Sequence, residues 1–303
     1  MTVSYCIPLY NKERYIAAVL DAVLAERAVT GGEVVVYDDA STDGSLAPVR
    51  AMAAQHSIAV IESDRNRGVY NATASLIERA SQPYLRLIDA DDVIVPGSTG
   101  HLLDLLRQHT AILAHGVIGW QDGVAASTDF TDASVTIEER PMRRLLRNLD
   151  FNLSACAMPT SVAHSTLPLP AGLRISQDLC VILRLARRGR LARSGAVVIR
   201  QPLETDNRLS RRLAAMYRDI CLLTAEEFSG DMGRGDAAFA VRRQAGRCLR
   251  YFQREAPNRL VLIDKTFLMH CRLATAIEPL RVQAKRLRHI AGLFERDAGR
   301  VLN

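Results

Sequence analysis

The first half of the chain alternates short apolar runs with longer amphipathic stretches. Apolar runs at 3–8, 33–37, 58–62 and 85–88 have the length and the β-branched content of buried strands. Helical periodicity follows the first three runs, over about 15–25, 46–55 and 70–79. This alternation with short joints predicts an α/β fold with a doubly wound, mostly parallel sheet.

Polar residues collect where each predicted strand ends. The joints contain residues 8–14, 38–45, 64–69 and 89–92. Ligands of open α/β sheets bind in the crevice outside the carboxyl ends of the strands. The four joints are therefore expected to meet in one crevice.

The fourth joint, Asp89-Ala90-Asp91-Asp92, carries three carboxylates within four residues. Such a cluster repels itself unless a cation is present, and Asp89 and Asp91 share one face of an extended strand. Carboxylates suit hard divalent ions such as Mg²⁺ and Mn²⁺, which keep open positions for phosphate oxygens. The alternative is a polar strand exit whose aspartates cap the next helix.

Taken in order, these joints resemble the nucleotide-sugar motifs of the family 2 glycosyltransferases with the GT-A fold. The matching motifs are Pro8-Leu9-Tyr10-Asn11-Lys12-Glu13, Asp38-Asp39-Ala40-Ser41-Thr42-Asp43-Gly44-Ser45, Asn66-Arg67-Gly68 and Asp89-Ala90-Asp91-Asp92. The resemblance implies that Asp39 binds the uracil edge, that the Tyr10 loop packs on the base and that Asp89 lies near the ribose. It further implies that Asp91, joined by Asp92, holds Mn²⁺ or Mg²⁺ at the donor diphosphate. The residues expected to bind the nucleotide sugar are Pro8, Tyr10, Asn11, Glu13, Asp39, Ser41, Asn66, Arg67, Gly68, Asp89 and Ala90.

Plainer interpretations of these residues stay open at the level of sequence. Tyr10 can be ordinary packing, Asp43 and Ser45 a helix-capping pair, and residues 66–68 only a turn.

A candidate general base lies in the segment 174–189, which has the start and stop signals of a helix. Ser176 is the expected N-cap, and the helix dipole favours an ionised Asp178 in the first turn. The resembling family carries a Glu-Asp pair here, whereas this chain has Gln177-Asp178. The resemblance implies that Asp178 is the base of an inverting transfer from a UDP-sugar; the alternative is a first-turn residue that only complements the dipole.

Family members often place a histidine beyond this helix, and residues 201–211 contain none. Asp206 is a further candidate metal ligand and Arg208 a candidate diphosphate contact, against the alternative of a solvated loop.

Charge and periodicity change beyond residue 206. Residues 207–303 hold 19 Lys and Arg against 10 Asp and Glu, a net +9, and residues 1–206 hold the remaining 20 and 23, a net −3. We therefore predict a catalytic domain at 1–206 and a basic, mostly helical extension at 207–303, with helices near 211–228, 236–254, 259–275 and 277–297. The last is amphipathic, and docking on the catalytic domain, homodimer formation and peripheral contact with an anionic membrane are its three expected uses.

The middle of the chain is less informative. We expect a helix at 102–108, a strand at 112–120 and a helix at 136–147. Trp120, the single tryptophan, is either a sugar-stacking platform or a core or rim residue.

Composition narrows the class of protein. The six cysteines are far apart without a Cys-x-x-Cys motif, which favours reduced thiols. The first residues already read as a strand rather than a secretory leader, and no apolar run of about 18 residues is present, so we expect a cytoplasmic protein, at most at the inner face of a membrane.

Two functions of other classes compete with sugar transfer. A nucleic-acid or nucleotide-binding module is disfavoured because aromatic residues are only 5% of the chain, so we expect no nucleic-acid partner. A sugar-phosphate nucleotidyltransferase is expected to have a glycine-rich basic loop after the first strand, where this chain has residues 8–11. The expected partners are thus a UDP-sugar donor and a saccharide or lipid-linked acceptor.

Overall fold

The computed structural model describes residues 1–120, 130–131, 133–148, 151–170, 172–173, 175–202, 213–227, 233–255, 265–273 and 279–298. The strands found there are β1 (Val3–Leu9), β2 (Gly32–Asp38), β3 (Ile58–Glu62), β4 (Tyr84–Leu87), β5 (Val93–Ile94), β6 (Leu113–Trp120), β7 (Val135–Glu138), β8 (Cys156–Pro159) and β9 (Leu191–Gln201). The helices are α1 (Ile16–Thr30), α2 (Leu46–His56), α3 (Val69–Arg79), α4 (Ser98–Gln108), α5 (Met142–Asn148), α6 (Thr160–His164), α7 (Gln177–Ala186), α8 (Leu213–Glu227), α9 (Arg234–Arg254), α10 (Lys265–Arg272) and α11 (Leu280–Ala298).

The first four strands form the parallel half of the sheet. β1 lies between β2 and β4, and β3 lies outside β2, all in parallel register. β1 is buried almost throughout, as expected for a strand covered on both faces by crossover helices. The predicted α/β fold with alternating strands and helices is confirmed.

The rest of the sheet is mixed. Its order is β3-β2-β1-β4-β8-β6-β9-β5, with β7 paired to β9. β8 runs antiparallel to β4 and β6, whereas β6 and β9 are parallel. The parallel half therefore delivers the four predicted joints to one edge of the sheet.

One predicted helix is wrong in its first part. Residues 135–138 form β7, antiparallel to β9, and the helix begins only at Met142. The alternation Val135-Thr136-Ile137-Glu138 has the period of a strand, and Pro141 immediately precedes the helix, where its fixed φ is compatible with a helix start.

The described residues divide into two compact units. The first contains 1–141, 151–169 and 181–205, and the second contains 142–150, 170–180 and 206–303. The predicted domain boundary at 206/207 remains a prediction, because the units also assign two short earlier segments to the C-terminal part. Asp178 belongs to the second unit.

The second unit is helical, and its helices pack through aromatic side chains. Tyr217 of α8, Tyr251 and Phe252 of α9 and Phe294 of α11 have ring centroids 5.1–6.3 Å apart. The apolar face of the predicted amphipathic helix is thus buried against α8 and α9, within the same extension.

All six cysteines are buried and none is part of a disulfide bond. Among the described helices, none is both long and apolar enough to cross a membrane.

Candidate active site

The loop after β1 and the loop after β2 are linked through Asn11. Its backbone N–H donates to Ser41 Oγ at 3.1 Å, and its side-chain Oδ1 accepts from the Thr42 N–H at 2.8 Å. Asn11 has a φ of 51°, in the left-handed region that asparagine tolerates better than most residues. The asparagine of the first motif therefore ties the second motif in place.

A second set of contacts between the same loops surrounds Asp43. The Lys12 N–H donates to Ser45 Oγ at 2.6 Å, and the Glu13 N–H donates to Asp43 Oδ2 at 3.2 Å. Burial acts to raise the pKa of Asp43, but hydrogen bonds from Ser45 and from the Glu13 N–H lower it overall. A Cβ on Gly44 would lie 2.4 Å from Glu13 Oε1, so a larger residue there would displace the Glu13 side chain. Glu13, predicted to bind the nucleotide sugar, contacts the neighbouring loop in this structure.

Asp39 joins the second loop to the third. Its Oδ1 accepts from the Arg67 N–H and its Oδ2 from the Gly68 N–H, both at 2.7 Å. Gly68 has a φ of 85°, which L side chains rarely adopt, so glycine suits this turn. The Asp39 side chain is fixed and only 3% exposed.

The other residues of the predicted donor site differ in exposure. Tyr10 is 43% exposed at the start of the first loop, whereas Ala90 is buried. The exposed Arg67 guanidinium pairs with Asp64 at 2.8 Å. Pro8 lies within β1 and is half-buried, and Asn66 accepts the Gly68 N–H at 3.1 Å.

The three aspartates after β4 have separate surroundings. The Asp89 N–H donates to Ser154 Oγ at 2.9 Å, and the Asp89 carbonyl accepts from the Asp92 N–H at 2.9 Å, which closes a turn. Asp92 is 1% exposed, and its Oδ2 accepts from Gln201 Nε2 at 3.1 Å. Asp91 Oδ2 lies 2.5 Å from Lys12 Nζ, an ion pair that joins the fourth loop to the first.

Lys12 was not assigned a role from the sequence, although it stands in the first motif. The signal that could have identified it is charge complementarity, because a lysine in one joint faces a group of aspartates in another. Its side chain is 28% exposed and that of Asp91 is 15% exposed, so the pair lies at the protein surface.

These carboxylates fit a divalent cation only if substrate phosphates and water supply most of its ligands. Within the described residues, no group of three or more His, Cys, Asp or Glu side chains is placed to hold a metal ion. Mg²⁺ and ions like it are commonly held by one or two carboxylates, with substrate phosphates and water completing the shell. Asp91, which here holds the Lys12 ammonium, fits that donor set, whereas a site built from protein ligands alone does not.

Asp178 lies at the first turn of α7. Ser176 Oγ is buried and has no hydrogen-bond partner within the described residues, so its side chain is not the expected cap. Burial raises the pKa of Asp178 to about 6, in the direction opposite to the effect expected from the helix dipole. At neutral pH the carboxylate is still mostly ionised and is a stronger base than an ordinary aspartate. Asp206 and Arg208 lie outside the described residues.

Comparisons with known proteins bear on the family and the fold of this chain. Chondroitin synthase from Escherichia coli is 29% identical over 110 residues, which are 36% of this chain and 16% of the relative. The structure resembles S. aureus TarS 1–349 in complex with UDP-GlcNAc, with a TM-score of 0.66 and 17% identity over 98% of this chain and 92% of TarS 1–349. It also resembles the mannosyltransferase PcManGT from Pyrobaculum calidifontis in complex with GDP-Man and Mn²⁺, with a TM-score of 0.58 and 16% identity over 98% and 86% of the two chains.

A family description, Glycosyl transferase family 2, matches residues 4–164, more than half of the 303 residues. That range contains all four linked loops. The chain spans only a small part of chondroitin synthase, so the comparison extends to the family and not to the relative's whole activity. The chain belongs to glycosyl transferase family 2 and has the GT-A fold.

Proposed function

We propose that the protein transfers a sugar from a UDP-sugar to an acceptor hydroxyl with inversion at the anomeric carbon. The observation that carries the proposal is the linkage of four loops at the ends of parallel strands, from Asn11 and Lys12 through Asp39 to Asp91. A preorganised crevice of this kind suits a ligand with a base, a ribose and a diphosphate. The UDP-GlcNAc complex of TarS supports the choice of donor class.

Asp39 is the proposed ligand of the uracil edge. Each of its oxygens accepts one backbone N–H, and a carboxylate oxygen can accept a second hydrogen bond. Tyr10, which is 43% exposed, has a face available for the base. Asp89 remains the proposed ribose contact.

Asp91 is the proposed protein ligand of Mn²⁺ or Mg²⁺, and the Mn²⁺ complex of PcManGT supports a metal in this fold. When bound, the ion would neutralise charge on the departing diphosphate as a Lewis acid. Asp92 is buried against Gln201, so we base the site on Asp91. Lys12 would have to leave Asp91, and its ammonium would then be available to phosphate oxygens.

Asp178 is the proposed general base. It takes the proton of the acceptor hydroxyl as that oxygen forms a bond to the anomeric carbon, while the bond to the UDP oxygen breaks. A pKa of about 6 suits this role because the group is mostly unprotonated at neutral pH and more basic than an ordinary aspartate. No covalent enzyme intermediate is required.

The acceptor is proposed to be a saccharide or a lipid-linked saccharide in polysaccharide or glycolipid synthesis, as the name of the bacterial relative suggests. The apolar face of α11 is covered by α8 and α9, so we do not base membrane contact or a dimer on it.

The test is a screen of nucleotide sugars with and without Mn²⁺, read by thermal unfolding and followed by product analysis. UDP-sugars should raise the melting temperature in proportion to log concentration above Kd. Transfer releases UDP, nucleotidyl transfer releases pyrophosphate, and a binding module releases neither. Pyrophosphate release, or no nucleotide-sugar binding at all, would overturn the proposal.

A further inference from the structure

The second unit contains a cavity of about 270 Å³ whose wall is dominated by arginines. Its lining consists of Phe239, Arg242, Arg243, Gly246, Arg250 and Arg272. Five of these residues lie on α9, and Arg272 is the last residue of α10, which packs on α9. None belongs to the crevice of the first unit.

Positive charge is concentrated along the whole of α9, not only at the residues that line the cavity. Helix α9 contains six arginines and a single acidic residue, Asp236, whose Oδ1 pairs with Arg143 at 2.5 Å. Arg247 is 6% exposed beside the cavity, and burial together with the charges of Arg243 and Arg250 lowers its pKa to about 10. The cluster therefore repels itself.

Within the described residues, the hydrogen-bond partners of Arg243 and Arg247 are uncharged groups. Arg243 Nη2 and Arg247 Nη2 both donate to the Arg147 carbonyl at 2.8 Å, and Arg247 Nη1 donates to Gln244 Oε1 at 3.3 Å. Arg243 Nε is buried with no hydrogen-bond partner among the described residues. Carbonyl groups do not cancel the charge of several guanidinium ions, so the cavity is a place where a multiply charged anion would be stabilised.

We propose that this cavity binds the phosphate or diphosphate group of an anionic ligand, at a site separate from the donor crevice. Planar guanidinium groups bind phosphate oxygens in pairs, and several of them around one cavity favour a group with more than one negative charge over a single carboxylate. Phe239 supplies an apolar wall beside that group. The proposal does not depend on the activity proposed above.

The test uses the full chain in EDTA at low ionic strength, where binding at Asp91 through a metal is prevented. Isothermal titration with inorganic pyrophosphate should show binding to the native protein. The double variant R250Q/R272Q should weaken it at least about tenfold, since charge-assisted hydrogen bonds are the strong ones. The matched control R281Q/R288Q removes two exposed arginines of α11 and should change the affinity less than about threefold.

Equal losses in the two double variants, or no binding by the native protein, would overturn the proposal. If R250Q/R272Q fails to fold, the single variant R250Q replaces it, because Arg250 is exposed. A sedimentation arm with phosphatidic acid vesicles identifies the source of the phosphate. If R250Q/R272Q loses vesicle binding and the control R281Q/R288Q keeps it, the phosphate belongs to a lipid headgroup. If R250Q/R272Q keeps vesicle binding but loses pyrophosphate binding, the ligand is a soluble phosphate.

Discussion

The two compact units handle charge in opposite ways. In the first, carboxylates at strand ends are fixed by backbone N–H groups of neighbouring loops, as Asp39 is by Arg67 and Gly68. In the second, Arg243 and Arg247 of one helix donate to the same carbonyl group, and burial together with the charges of Arg243 and Arg250 lowers the pKa of Arg247. Both oxygens of Asp39 accept hydrogen bonds, whereas the hydrogen-bond partners of Arg243 and Arg247 within the described residues are uncharged groups.

The difference indicates what each region is built to receive. A crevice with fixed hydrogen-bond acceptors and the Lys12–Asp91 ion pair suits a neutral base edge and a cation. A cavity with several guanidinium groups suits an anion. Asp178 does not follow this contrast, because it is a carboxylate of the second unit and desolvation raises its pKa.

The largest effect is expected for the variant Asp178→Asn. If the second unit supplies the base, turnover should fall by roughly 10²–10⁴-fold, the usual contribution of general-base catalysis, with UDP affinity unchanged. Initial rates at saturating donor and titration calorimetry with UDP measure the two quantities.

The pH dependence supplies a control for Asp178. Its folded pKa of about 6 lies above the ordinary aspartate value of 3.8, so protonation favours the folded state and the ionised group costs stability above about pH 6. The Asn variant should therefore unfold at pH 8 at no lower a temperature than the native protein. Native turnover should fall about tenfold per pH unit below pH 6, and the variant should lack this dependence. Native turnover in the Asn variant would contradict the proposal that Asp178 is the general base.

The next test compares Asp91→Asn with Asp92→Asn, which remove the same charge one residue apart. Because Asp91 is proposed to hold the metal directly, its variant should weaken Mn²⁺-dependent UDP binding at least as much as loss of a residue that only supports a metal ligand, about ten- to a hundredfold. The Asp92 variant should change that binding little and instead lower the melting temperature, since Asp92 is buried against Gln201. Calorimetry with and without Mn²⁺ distinguishes the pair, and equal effects on UDP binding would contradict the assignment.

The smallest expected effect concerns Lys12→Met. Removing the ammonium that pairs with Asp91 should raise the affinity of the ligand-free protein for Mn²⁺ by about two- to fivefold, since partly exposed ion pairs contribute about 0.2–1 kcal/mol. Electron paramagnetic resonance of free Mn²⁺ measures this without turnover. Arg14→Met, at an exposed position of the same loop, is the matched control. An unchanged or weaker Mn²⁺ affinity for the Lys12 variant would show that the ammonium does not compete.

Much of the first unit was predictable because a parallel sheet converts sequence order into position. Apolar runs identify β1 to β4, and the carboxyl ends of neighbouring parallel strands must lie at one edge. The grouping of Asn11, Asp39 and Asp91 therefore followed from the order of their motifs.

The specific partners of these side chains were not predictable. The pairing of Lys12 with Asp91 joins residues 79 apart, and it depends on loop conformations that hydrophobic periodicity does not specify. The desolvation of Asp178 depends on tertiary packing, and it reversed the pKa direction that the position of Asp178 in a helix suggested. The arginine-lined cavity of the second unit was not predicted, because it combines residues of α9 with Arg272 of α10, and helical spacing alone does not indicate how two helices pack.

The burial of all six cysteines divides along the same line as the two units. Cys6 and Cys156 lie on strands of the first unit, whereas Cys180, Cys221, Cys248 and Cys271 belong to the second unit. Burial raises the pKa of Cys6, Cys221 and Cys248, so the reactive thiolate is suppressed in the native state. Alkylation at each position therefore requires local or global opening, and peptide mapping after a brief pulse of reagent would report how independently the two halves come apart.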